Sequence, residues 1–505
     1  MRLSGFRISD FGFRIWIITF VFAATAFAAP SGGRLVDMIR SGDRAAALAL
    51  LQQGTDVNAA EANGTTPLHY AVYNEDADLV ERLIKAGAKV SVANDFGSTP
   101  MSEAAAVGNA AIIKILLKAG ADMNSRNREG QTALMAVART GRVDAARLLL
   151  DAGADVNATE QWGGQSALMW ASAQKQPAMV KLLVERGADV NARGSIRDWQ
   201  RRITAETRPK DMDRGGLTPL LYAAREGCLE CAQYLVEGKA DINLTDPNRE
   251  SPLVLALINM RFDTAAYLIS AGADVDKWDL YGRTPLFAAV DVGTLPRGGR
   301  PDIPSLDDTT PLQVIQMLLD KGANPNIQLK LRPPFRAVIL DRGTDNAILT
   351  IGATPLLRAS KAGDNPEAIQ LLLDHGALVD LPNSLGITPL LTAAGMGHGD
   401  NASRGKFNTD EDGLKAIQIL VKAGADINAR NTEGQTALHS AAQKGWNKVI
   451  RFLVENGVPL ETTDAGGRTA LDFAKGNSGG GRQAPHPETV ALLEKLMAER
   501  TTKRP

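Results

Sequence analysis

Two cysteines and five histidines are the side chains through which this 505-residue chain could build a redox pair, a nucleophilic dyad or a metal site. The cysteines stand as Cys228-Leu229-Glu230-Cys231. C-x-x-C spacing suits a dithiol that opens and closes, but Ala232 fills the position where haem attachment needs a histidine. On a helix, residues three apart hold their Cβ atoms about 5–6 Å from each other. A disulfide asks for about 3.5–4.5 Å. The pair therefore reads first as two small core residues; a Cys228–Cys231 disulfide, which needs a local distortion, is the alternative, and redox catalysis ranks last. The histidines are His69, His375, His398, His439 and His486, and no two come at a zinc-ligand spacing. None lies near a cysteine in sequence, so no Cys–His dyad is expected. Asn408-Thr409-Asp410-Glu411-Asp412-Gly413 copies the first half of a calcium loop, but Ile419 stands where a bidentate Glu belongs. It reads as a solvated acidic loop. Gly479–Gly481 lack a following Lys-Ser/Thr, so they do not read as a phosphate cradle. No catalytic, cofactor-binding or metal-ligating residue is assigned, and the chain is not expected to be an enzyme.

Bulk properties point the same way. Apolar residues make up 44% and charged residues 22%, the balance of a folded chain rather than a disordered one. A formal net charge of −1 gives no general attraction to nucleic acid or an anionic membrane. The N-terminus has its own pattern. Arg2, Arg7 and Arg14 precede an apolar run from Ile15 to Ala29 that closes on Ala26-Phe27-Ala28. Positive, then apolar, then small is the order of a secretory signal peptide. Residues 1–29 are assigned to it, with cleavage near Ala28 or Ala29. The run is shorter than the roughly 20 residues a membrane helix needs, so no stable span is expected after cleavage. The protein is expected to be periplasmic or extracellular.

The elements that would position any site announce themselves as a repeat. A glycine slot recurs at Gly54, Gly87, Gly120, Gly153, Gly187, Gly272, Gly322, Gly376, Gly424 and Gly457, often inside Gly-Ala-Asp. Its base period of 33 residues means a stacked helical array. About eleven residues after each slot comes a start signal such as Thr66-Pro67-Leu68-His69, Thr218-Pro219-Leu220 or Thr388-Pro389-Leu390. Thr caps a helix and Pro suits its first turn. A short Ala-rich helix, a Gly turn (Gly141, Gly227, Gly363, Gly445) and a second apolar-periodic helix follow. The slot glycine then suits a left-handed stop.

These motifs resemble the ankyrin repeat family over roughly residues 34–500. The resemblance implies an all-α solenoid of helix-turn-helix units with short β-hairpin fingers: about ten full repeats in an array over 30–466, a capping repeat at 467–500 and a tail at 501–505. Only His69 and His439 fill the family's histidine slot, where they read as structural groups. Ser251 replaces a Thr, and Lys239 replaces a slot glycine. The signal-like segment and the insertions also resemble exported bacterial members.

Four insertions, near 194–215, 294–311, 329–351 and 398–413, lengthen the unit. The first and third fall in fingers; the other two fall between the helices of a pair. The resemblance implies a protein-binding scaffold that recognises its partner through a concave face of finger tips and inner helices. Tip positions include Phe96, Trp162, Trp278 and Tyr281; inner-helix positions include Trp170, Tyr222, Arg225 and Arg358. Trp, Tyr and Arg dominate interface hot spots. The insertion also carries Arg197, Trp199, Arg201 and Arg202, diluted by acidic neighbours, so nucleic-acid binding is not expected. A monomer with a protein partner is the leading expectation. A regulatory or redox-sensing subunit using Cys228 and Cys231, or a host-directed effector, are the alternatives.

Overall fold

The structure is a computed structural model that describes residues 31–197, 214–293, 306–331, 350–362, 365–397, 409–478 and 484–502. The signal-like segment, most of each insertion and the final tail lie outside these residues. The described chain is a succession of short helices taken in pairs: ten pairs between a first pair, Ser31–Ser41 with Arg44–Gln52, and a last pair, Ala470–Ala474 with Pro487–Thr502. Contacts divide it into two compact units, one ending at Lys89 and one starting at Val90. In the second unit each inner helix packs on the inner helix of the next pair, and outer helices pack on outer helices.

The start signals work as expected. Thr99, Thr218 and Thr388 each accept a hydrogen bond from the backbone three residues on, and Pro follows at the first helical position. Ser251 does the same for Val254 N. The inner helix Pro219–Glu226 buries Leu220, Leu221, Ala223 and Ala224, and the outer helix Leu229–Glu237 buries Cys231, Ala232 and Leu235. Small inner residues allow close approach, while each buried Leu contributes about 2 kcal/mol.

Where the slot glycine is missing, Lys239 itself takes φ +70°. A non-glycine residue in that region carries about 1–2 kcal/mol of strain. Neighbouring pairs are tied by an asparagine two residues after the Gly-Ala-Asp string. Asn157 accepts from Asp189 N at 2.8 Å and donates to Gly187 O at 3.3 Å. Asn191 accepts from Asp241 N, and Asn326 from Leu378 N, both at 2.8 Å. In the first unit Asn58 does this for Lys89 N.

The fingers contain less β-structure than expected. Among the described residues, antiparallel pairing is limited to single bridges, Arg126 with Thr132 and Thr159 with Ser166, and to two-residue strands Ile196–Arg197 and Arg214–Gly215 at the ends of the first insertion. A side-chain-locked turn replaces the hairpin. Asn94 accepts from Phe96 N and Ser98 N, and Asn127, Asn383 and Asn431 repeat this geometry. Such turns satisfy the tip backbone without a partner strand.

Candidate partner-binding surface

Adjacent fingers are cross-linked by backbone hydrogen bonds. Gln161 N donates to Glu129 O, Ser195 N to Gly163 O, Leu280 N to Asn248 O, Lys330 N to Tyr281 O and Ser384 N to Ile351 O. These bonds hold the fingers that they join, and exposed apolar side chains stand along the tips. Phe96 is 66% exposed and Trp162 67%. Both stand on the fingers to which the sequence assigned them, and Ile196, Leu280, Leu331, Ile351 and Leu385, which sequence reading did not single out, are exposed as well. The available signal was position: Phe96, Tyr281 and Leu385 each follow the turn residue by two places. Only burial separates them.

Three expected contact residues lie inside. Tyr281 is 2% exposed, so it belongs to the core of its finger and not to the surface. Arg358 is 4% exposed, and its guanidinium Nε meets Asp291 Oδ1 at 2.5 Å. A buried cation requires such a partner. Tyr222 is also buried; its hydroxyl accepts from Gln165 Nε2, and burial raises the phenol above its ordinary range. The other three are half-buried. Arg225 lies over the Tyr222 ring and pairs with Glu226. Trp170 has Arg139 over its ring, and its buried Nε1 finds no acceptor among the described residues. Trp278 has both Arg249, at 4.0 Å from the ring centroid, and Lys330, at 3.4 Å.

The same fingers hold a buried charged cluster that sequence reading did not find. Arg283 pairs with Asp279 at 2.7 Å and with Glu250 of the preceding finger at 3.0 Å. Asp279 also locks its own turn through Tyr281 N and Arg283 N. Asp246 accepts from Glu250 N at 2.7 Å. Burial, followed by the Glu250 carboxylate, pushes the Asp246 carboxyl up to about 7. The legible signal was a turn acid four residues before another charge, as in Asp246…Glu250, Asp279…Arg283 and Asp464…Arg468.

The reactive residues of the sequence have structural duties. His69 Nδ1 bonds the Thr66 hydroxyl at 2.8 Å, and His439 Nδ1 bonds Thr436 likewise. His375 bonds Leu371 O, and His486 bonds Gln443 O; His398 lies outside the described residues. Cys228 and Cys231 are joined by a disulfide, with Cα atoms 5.2 Å apart, which corrects their reading as free core residues. The physical reason is that Cys228 is the residue before the helix, at φ −91° and ψ 87°, so helical spacing does not apply to it. The acidic segment is corrected too. Asp410, Glu411 and Asp412 form the first turn of the helix Asp410–Lys422, capped by Thr409. Asp410 then accepts from Lys448 N and Val449 N at the start of the next outer helix. Among the described residues no acidic, His and Cys group could hold a metal ion, and no helix is long and apolar enough to cross a membrane.

A family model of ankyrin repeats matches residues 35–127, 104–194, 220–329 and 409–498, and a single ankyrin repeat matches 351–384. The chain is 31% identical over 269 residues to the B-cell lymphoma 3 protein homolog of Mus musculus, covering 52% of this chain and 49% of that one. It is 29% identical to the human transient receptor potential cation channel subfamily A member 1, over 47% of this chain and 20% of the channel. With the E3 ubiquitin-protein ligase KEG of Arabidopsis thaliana the identity is 28%, over 48% of this chain and 15% of the ligase. The chain thus spans half or less of the length of each of these relatives. The crystal structure of the ankyrin repeat domain of Bcl-3 covers 51% of this chain and 99% of that domain at 25% identity, with a TM-score of 0.39.

Proposed function

Because the chain belongs to the ankyrin-repeat family, we propose that it is a monomeric, non-catalytic scaffold that captures a protein partner on its finger tips and inner-helix face. The observation that carries this is the pair of large exposed aromatics, Phe96 and Trp162, on fingers whose backbones are already locked. Isolated exposed apolar residues are ordinary, but large aromatics at the same turn position of fingers with locked backbones favour binding with little ordering penalty. Trp170, Arg225 and Trp278, half-buried, extend the contact. We further propose that the protein is exported, on the strength of the signal-like residues 1–29 and a disulfide that suits an oxidising compartment.

The test is affinity capture from an envelope fraction with the immobilised chain and with its Phe96→Ala/Trp162→Ala double variant. A specific protein should be retained by the first and lost by the second, while the Tm of the variant falls by no more than a few degrees. Equal recovery on both would sink the proposal. Export is checked separately by the mass of the mature chain, which should begin just after Ala28 or Ala29.

A further inference from the structure

One finger departs from a pattern that six others share. At the fourth position of the turn the fingers carry Gly97, Gly130, Gly282, Gly386, Gly434 and Gly467, all at positive φ. The finger 246–250 carries Arg249 there, at φ +62°. Glycine adopts this conformation freely, and an arginine does so only under strain. Strain kept at a surface position points to a use for the side chain. That side chain is exposed and lies over Trp278 of the next finger, where Lys330 of the third finger also lies. Two like charges on one ring repel each other. Among the described residues neither enters an ion pair. The acids of these fingers are turned inward: Asp246, Glu250 and Asp279 are buried, and Arg283 and backbone N–H groups satisfy them. Asp274 and Asp276, at the finger base, accept from the backbone at Asp276 and Asn324. Among the described residues the outward charge of the trio is therefore positive, and the exposed Leu280 and Leu331 flank it.

Resting on the reading of the finger tips as a partner surface, we propose that fingers 246–250, 277–283 and 328–331 bind an acidic segment of a protein, with its carboxylates on Arg249 and Lys330 and an apolar side chain on Leu280 and Leu331. The base is built to hold still. Arg283 rivets the first finger to the second, and Tyr281 O receives both Lys330 N and Leu331 N from the third. Arg249 and Lys330 are thus presented in fixed positions, as charge-assisted pairing to carboxylates requires.

The test uses the full chain and a fluorescein-labelled peptide alternating Glu and Leu, read by anisotropy. Its Gln-for-Glu counterpart and a single-stranded oligonucleotide serve as comparison probes. The Glu peptide should bind, weaken as salt rises, and lose about tenfold in affinity in Arg249→Gly and again in Lys330→Gln. The Arg249→Gly change also relieves the backbone, so its Tm should hold or rise while binding falls, which separates recognition from folding. Unchanged affinity in both variants would overturn the proposal, as would equal binding of the Gln peptide. So would binding of the oligonucleotide with the Glu peptide silent. If Phe96 and Trp162 govern partner capture while Arg249→Gly and Lys330→Gln leave it intact, the scaffold function stands and the acidic-segment assignment falls.

Discussion

Asp246 ties the stability of the charged finger to pH. Its carboxyl titrates at about 7, whereas in the unfolded chain it returns to the ordinary range near 3.9. Between those values the folded state holds a proton that the unfolded chain has lost. Stability from this group is complete below about pH 4 and drains away as pH rises through about 7. Asp246→Asn keeps an acceptor for Glu250 N and cannot ionise. Urea unfolding should show the variant close to wild type near pH 4 and more stable than wild type near pH 8; no difference between the two pH values would refute the titration. Tyr281 and Trp162 make the second residue-scale contrast. Tyr281→Ala should cost about 3 kcal/mol, as a buried aromatic does, and Trp162→Ala less than about 0.5 kcal/mol, as an exposed one does. Sequence placed both at finger tips because tip position is periodic. It could not rank their exposure, since that depends on the finger packed alongside. The burial of Arg358 was hidden for the same reason: its partner Asp291 is 67 residues away in sequence.

At the scale of elements, the helices were readable because each begins and ends on local chemistry. Thr-Pro starts and glycine stops are decided within a few residues, so one sequence suffices. The slot glycines illustrate it. Gly153 sits at φ +93° with open space where a Cβ would go, so Gly153→Ala should cost about 1–2 kcal/mol through the backbone alone. Lys239→Gly, at the slot that lacks its glycine, should stabilise by a fraction of that, the gain being reduced by the freer unfolded chain. Thermal melts of the two variants should move in opposite directions. The acidic segment was misread because its duty lies in another unit. The helix Asn447–Glu455 has Trp446 before it, with no side-chain cap of its own, and Asp410 supplies the missing acceptors from the neighbouring pair. Asp410→Ala should therefore lower stability by about 1 kcal/mol, with faster amide exchange at Lys448 and Val449 rather than around residue 410.

At the scale of the molecule, packing in the unit from Val90 onward runs from each pair to the next. Stability in such a stack is a sum of unit and interface contributions, and a weakened interface becomes a break point. Phe287, Leu329, Ala353 and Leu357 form one such joint across the third insertion. Phe287→Ala should cost about 3–5 kcal/mol and turn a single unfolding transition into two, visible by hydrogen exchange as earlier opening near this joint. The repeated helix pairs were legible because a 33-residue register persists along the chain. The asparagine ties show why it can. Asn157 reaches Asp189 N across 32 residues and Asn191 reaches Asp241 N across 50, yet both bonds measure 2.8 Å. The chain between is gathered at a clasp, with Ile196 paired to Gly215 and Arg197 to Arg214. The pitch of the stack is thus set by its ties and not by the length of chain between them, so the molecule works as a ruler whose graduations stay even where the sequence does not.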